Sequence, residues 1–135
     1  MLSHKISSAI LAVSDMDRAR AFYGGILGLA AVEDGSDVAV YRTGSTHLVV
    51  YRSEEAGTNR ANAVIFDAAG EIEAIVADLS DKGILFEHYE MASATYRDGI
   101  HHAGDMKLVW FKDPDGNILH INDMPAPVAG IAEAG

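Results

Sequence analysis

The sequence predicts an α+β fold built from two tandem strand-helix-three-strand (βαβββ) units. Three observations predict it. The same order of hydrophobic patterns runs through about residues 5–53 and again through 61–123. Each predicted helix follows directly on a strand and ends at a glycine, Gly28 in the first unit and Gly83 in the second. The second unit closes on two β-prone runs, Met106–Lys112 and Ile118–Asn122, which flank the turn-forming block Asp113-Pro114-Asp115-Gly116-Asn117.

Taken in order, residues 6–13 form an apolar and small-residue strand, after which Ser14 and Asp15 offer helix-capping oxygens. In the helix that follows, Met16, Ala19, Phe22, Tyr23, Ile26 and Leu27 recur at three- and four-residue spacing. Gly24-Gly25 inside it costs about 1 kcal/mol per residue relative to alanine, which signals a close backbone approach or fraying. Strands at 30–33, 38–43 and 46–52 complete the unit, and a polar linker covers 54–60. The second unit repeats the order with a strand at 61–67 and a helix at 69–82 whose apolar stripe is Ile72, Ile75, Val76 and Leu79. A strand at 84–87, a long loop from His88 to Ala103 and the terminal hairpin follow. The tail, 124–135, reads as a frayed end. All of it forms one domain.

At 135 residues a core can bury roughly two-thirds of the surface that the unfolded chain exposes. No apolar run approaches the roughly 18 residues of a membrane helix, and no secretory signal pattern opens the chain. With the absence of cysteine, this gives a cytoplasmic expectation. Acidic side chains outnumber basic ones 20 to 10, for a net charge of −10, which argues against nucleic acid and suits a neutral or cationic small molecule.

The stretches Ala12–Tyr23, Leu27-Gly28-Leu29 and Phe111–Leu119 resemble the vicinal oxygen chelate (VOC) superfamily of glyoxalases, extradiol dioxygenases and bleomycin resistance proteins, and the resemblance spans about Lys5 to Asp123. It implies that the two units form a curved, eight-stranded mixed sheet, a cup with the helices on its convex side. It also implies a ligand site on the concave face and a homodimer. Enzymes of the superfamily hold a divalent metal with His, Gln or Glu at four strand positions. Carried over one by one, these are Ser8, Val49 or Val50, Ala61 and His120. Three of the four cannot ligate a metal.

An ungapped match of Trp110–His120 onto Val40–Val50 makes Val50 the counterpart of His120. On that register the concave face carries Ile10, Ala12, Leu48, Val50, Ala63 and Ile65, with His120, Asn122, Asp67 and Arg52 as sparse polar groups. Trp110 faces the same way as His120, which leaves Val109 and Phe111 for the second helix. Tyr96, His101 and His102 lie on the loop that closes over the mouth. Asp67 suits the turn into the second helix, and Tyr41 and Tyr51 suit packing. The expected ligand-binding residues are therefore Trp110, His120, Asn122, Val50, Arg52, Ile10, Ile65, Tyr96 and His101.

Two functions fit. One is metal-independent binding of a small aromatic or cationic molecule, as in bleomycin resistance, with no cofactor. The other is a lyase, isomerase or oxygenase-type enzyme that uses His120 as acid or base, or as a metal ligand.

Overall fold

A computed structural model describes residues 1–123, so the expectation of a frayed tail at 124–135 lies outside the described residues. The described chain divides into two compact units, one formed by Met1–Ala63 with Lys112–Asn117, the other by Val64–Phe111 with Ile118–Asp123. The turn of the last hairpin thus belongs to the first unit and its two strands to the second. Among the described residues no helix is long and apolar enough to cross a membrane.

In the first unit, β1 (Ala9–Val13), β2 (Ala31–Asp34), β3 (Val38–Thr43) and β4 (Thr46–Arg52) form a sheet in the order β1-β4-β3-β2. β1 runs parallel to β4, and the other two pairs are antiparallel. Helix α1 (Met16–Arg20) starts at Asp15, whose side chain accepts the Arg18 N–H, and buries Met16 and Ala19. The chain then widens into a π-helical segment, Ala21–Ile26, that contains Gly24-Gly25 and buries Phe22 and Tyr23. Both glycines lie inside this helical segment, and a Cβ at Gly24 would stand at ordinary contact distance from the Tyr41 ring. The core takes alternate strand residues: Leu11 and Val13, Ala39 and Tyr41, Leu48 and Val50.

The centre of this unit is the Asp113 carboxylate. One oxygen accepts the backbone N–H groups of Asp115 and Asn117 at 3.0 and 2.8 Å, and the other accepts the Tyr23 hydroxyl at 2.6 Å and the Asn117 amide at 2.8 Å. That amide also donates to the Ala12 carbonyl of β1 at 2.9 Å. Asp115 in turn accepts from the Ser14 hydroxyl and pairs with Arg18. Gly116, at φ +88°, supplies the left-handed step the turn needs. Tyr23, Asp113 and Asn117 are all buried.

The second unit orders its strands β5-β9-β8-β7-β6, where β5 is Asn62–Asp67, β6 Thr95–Arg97, β7 Ile100–Ala103, β8 Met106–Lys112 and β9 Ile118–Asp123. The architecture is α+β as expected, with nine strands in sheets of four and five. Helix α2 (Ile72–Asp81) buries Ile72, Val76 and Leu79, and its Glu73 pairs with Lys107 of β8. That pair assigns the odd-numbered residues of β8, Val109 and Phe111 among them, to the α2 side.

Two expectations need correction. Residues 84–87 form no strand: the Ile84 N–H donates to the Leu79 carbonyl at the end of α2, and the Glu87 N–H to the Trp110 carbonyl of β8, with no ladder between them. Leu85 beside it is 84% exposed. The supposed loop from His88 to Ala103 contains the β6–β7 hairpin. It turns on Asp98-Gly99, at φ +54° and +84°, the positive values that a two-residue type I′ turn requires.

Burial, and after it the Asp113 charge, hold the Tyr23 hydroxyl far above the usual phenol range. Tyr23→Phe removes a hydrogen bond to a buried charge, so urea denaturation is expected to show a loss of about 1.5–3 kcal/mol at neutral pH. A proton held more tightly by the folded state stabilises it below the unfolded-state value near pH 10, and that stabilisation declines as pH rises further. The gap between wild type and Tyr23→Phe is therefore expected to narrow above about pH 10, by up to roughly 1.4 kcal/mol per pH unit. A gap that stays constant to pH 11 would show that Tyr23 is not held in this way.

Candidate functional site

His120 lies mid-strand on β9 and is 6% exposed. Its Nδ1–H donates to the Val109 carbonyl at 2.9 Å, which leaves Nε2 as the lone-pair nitrogen, and the Asn122 amide faces Nε2 at 3.4 Å. Burial lowers the pKa of the ring below the ordinary histidine value, and the bond to Val109 only partly offsets this. The imidazole is neutral at pH 7. Trp110 stacks on it at 4.5 Å between ring centres and 20° between planes.

Other rings extend this face of the second sheet. His101 of β7 meets Trp110 edge-on at 5.0 Å and 88°, and Tyr89 meets Trp110 edge-on at 5.3 Å and 76°. Tyr96 of β6 lies 4.8 Å from His101 and stacks on His88 at 3.9 Å. Tyr89 is held by its own N–H, which donates to Nε2 of His101 at 3.0 Å. His101 is 1% exposed, and its Nδ1 has no hydrogen-bond partner among the described residues. A buried donor left unpaired costs about 1–3 kcal/mol.

Trp110, His120, Asn122, Tyr96 and His101 therefore share one cluster. Of the other expected ligand contacts, Ile10, Val50 and Arg52 belong to the first unit and Ile65 to the second. Val50 is fully buried in the core of the first unit, and Val49 and Tyr51 take the opposite face, on which Ile10 pairs with Val49 and Ala12 with Tyr51. The cause is turn length. Thr43 pairs with Thr46 across two residues, whereas the Asp113–Asn117 turn is one residue longer, and a one-residue offset exchanges the faces of a strand. Val49 is the counterpart of His120. Leu48 is in the core for the same reason. Arg52 ends β4 in an ion pair with Asp37 at 3.1 Å.

Ile10 is 63% exposed and lines a recess of about 360 Å³ in the first unit with Ala12, Tyr51, Glu55, Asn59 and Ala63. Ile65 on β5 is 64% exposed. Asp67 accepts the Ala69 N–H at 2.9 Å and so shapes the turn into α2. His102 points away from His101, into a hollow of about 510 Å³ beside α2 that Glu73 and Arg97 also line.

Reading the sequence missed Tyr89 and His88 because their segment has no periodicity. The Asp98-Gly99 pair, a strong hairpin signal, would have placed Tyr96 and His101 opposite each other on paired strands.

The four positions at which the fold's enzymes carry metal ligands hold Ser8, Val49, Ala61 and His120, a set with one nitrogen donor and no carboxylate. Among the described residues no three His, Cys, Asp or Glu side chains gather closely enough to hold a metal ion. These residues do not fit the metal of the fold.

The family model described as the glyoxalase/bleomycin resistance protein/dioxygenase superfamily matches residues 5–121. A glyoxalase/bleomycin resistance protein/dioxygenase from Alicyclobacillus acidocaldarius is similar in structure, with a TM-score of 0.70 at 15% identity over 93% of this chain and 95% of that one. The fosfomycin resistance protein FosX from Mesorhizobium loti gives 0.68 at 12% identity over 93% and 97%. A lactoylglutathione lyase from Agrobacterium tumefaciens gives 0.66 at 20% identity over 89% and 93%. At these identities the likeness is one of fold. No curated protein matched the sequence. With the family model covering most of its length, and with a strand and a helix followed by three strands in the first unit and by four in the second, the chain belongs to the glyoxalase/bleomycin resistance protein/dioxygenase superfamily.

Proposed function

We propose that this protein binds a small aromatic or cationic molecule without a metal, at the ring cluster on the second sheet. The observation that carries the reading is the donor set: of the four metal-ligand positions of the fold, Ser8, Val49, Ala61 and His120, only His120 offers a ligating nitrogen, and its ring is stacked on Trp110. Tyr89 and Tyr96, half-buried beside the buried Trp110 and His101, add flat, polarisable surface on which a planar ring or a cation can rest. The net charge of −10 favours a cation over an anion at long range. Bleomycin resistance proteins of the superfamily offer the nearest functional analogy, and the analogy extends to binding without chemistry.

One observation favours the enzymatic alternative: Nε2 of His120 carries a lone pair and can accept a proton. Against it, burial disfavours the imidazolium that such a step creates.

Trp110 is the only tryptophan, so its fluorescence reports on this site alone. N-methylquinolinium is expected to quench it saturably. Indane and tetramethylammonium then show whether the ring or the charge is bound. Linear quenching, equal to that of free tryptophan amide, together with no heat of binding for any of the three, would refute the reading.

Zinc, nickel, cobalt and manganese are each expected to leave the thermal midpoint of the purified protein unchanged, in wild type and in His120→Ala alike. A stabilisation that disappears in His120→Ala would establish a metal site and send the search toward glyoxalase and dioxygenase substrates.

A further inference from the structure

We infer that the molecule bound at the second-sheet cluster is a planar ring compound bearing a carbonyl-type oxygen, and that His101 Nδ1–H is the donor that reads this oxygen. The inference rests on the binding function proposed above and narrows its ligand class.

The protonation of His101 follows from its one hydrogen bond. Tyr89 N–H can only donate, so Nε2 of His101 must accept, and the proton of the ring sits on Nδ1. That N–H is buried, and no acceptor among the described residues meets it. The groups around it are rings: Trp110, Tyr96, Tyr89 and His88, with centres 4.8 to 6.4 Å away. A ring face is a weak acceptor and does not replace an oxygen lone pair.

The neighbouring imidazole shows the contrast. His120 has the same Nδ1–H tautomer, and its proton is satisfied by the Val109 carbonyl within the sheet. Two buried histidines thus flank Trp110, one with its donor spent and one with its donor unspent. Buried polar groups without partners are few in folded proteins, and each calls for an explanation. A cation without an oxygen or nitrogen lone pair cannot satisfy an N–H. A carbonyl or carboxylate oxygen on a flat ring can, while the ring itself lies against Trp110 or Tyr96.

The test uses two probes of the same shape, 1-indanone and its oxygen-free analogue indane, titrated into the whole protein labelled with nitrogen-15 at histidine. We expect 1-indanone to bind about tenfold more tightly than indane and to shift the His101 Nδ1–H resonance, which indane leaves in place. In His101→Phe the two probes are expected to bind equally. Should that variant not fold, the resonance shift in wild type decides. Equal binding of both probes by wild type, with Nδ1–H unmoved, would overturn the role of His101 while leaving the aromatic site standing. If indane, 1-indanone and N-methylquinolinium all fail to bind, the site itself is refuted, and His101 with it.

Discussion

The buried carboxylate of Asp113 is the interaction on which the first unit depends. Four donors converge on its two oxygens, and burying a charge is tolerable only when it is satisfied to this degree. Through them one side chain closes the Asp113–Asn117 turn, anchors the π-helical segment at Tyr23 and, by way of Asn117, holds the Ala12 carbonyl of β1. Asp115 adds the start of α1 through Ser14 and Arg18. Asp15, Tyr23, Asp113, Asp115 and Asn117 are also among the residues by which the family is recognised in the sequence. They hold the fold, and none of them belongs to the ring cluster. This explains how a sequence can state its family clearly and its ligand hardly at all.

The same turn decides how the two units compare. Both contain a hairpin whose first strand places alternate residues toward a helix, and a match by eye aligns them without a gap. Asp113–Asn117 nevertheless closes one residue later than Thr43–Thr46. Strand alternation has a period of two, so that residue moves Val50 into the core and brings Val49 and Tyr51 to the other face. The first unit then offers an aliphatic and hydroxyl-bearing face where the second offers indole and imidazole.

The parts legible in the sequence are those with local signals. Leu11, Val13, Ile72, Val76 and Leu79 carry periodicity, Asp15 and Asp67 carry turn and cap chemistry, and the placement of Trp110 with His120 follows from alternation within one hairpin. The segment from Ile84 to Ala94, between α2 and β6, has none of these. Ile84–Glu87 looks like a strand because its first three residues are apolar, yet its ends bind the Leu79 carbonyl of α2 and the Trp110 carbonyl of β8 instead of forming a ladder. Tyr89 takes its place through a long-range bond to a histidine twelve residues away. No local pattern encodes such a contact.

The chemistry of the site follows from where each imidazole spends its proton. A histidine that serves as acid and base needs one nitrogen free to gain a proton and surroundings that tolerate the resulting charge. His120 meets the first condition, since Nε2 holds a lone pair, and fails the second, since burial depresses its pKa and the ring stacked on it is uncharged. His101 has its lone pair engaged by Tyr89 N–H and keeps only a donor. One ring is thus a weakly engaged acceptor and the other an unengaged donor, with an indole between them. On the binding function proposed above, that arrangement reads a flat molecule by shape and one hydrogen bond, while the four metal-ligand positions of the fold hold a donor set that does not fit its metal.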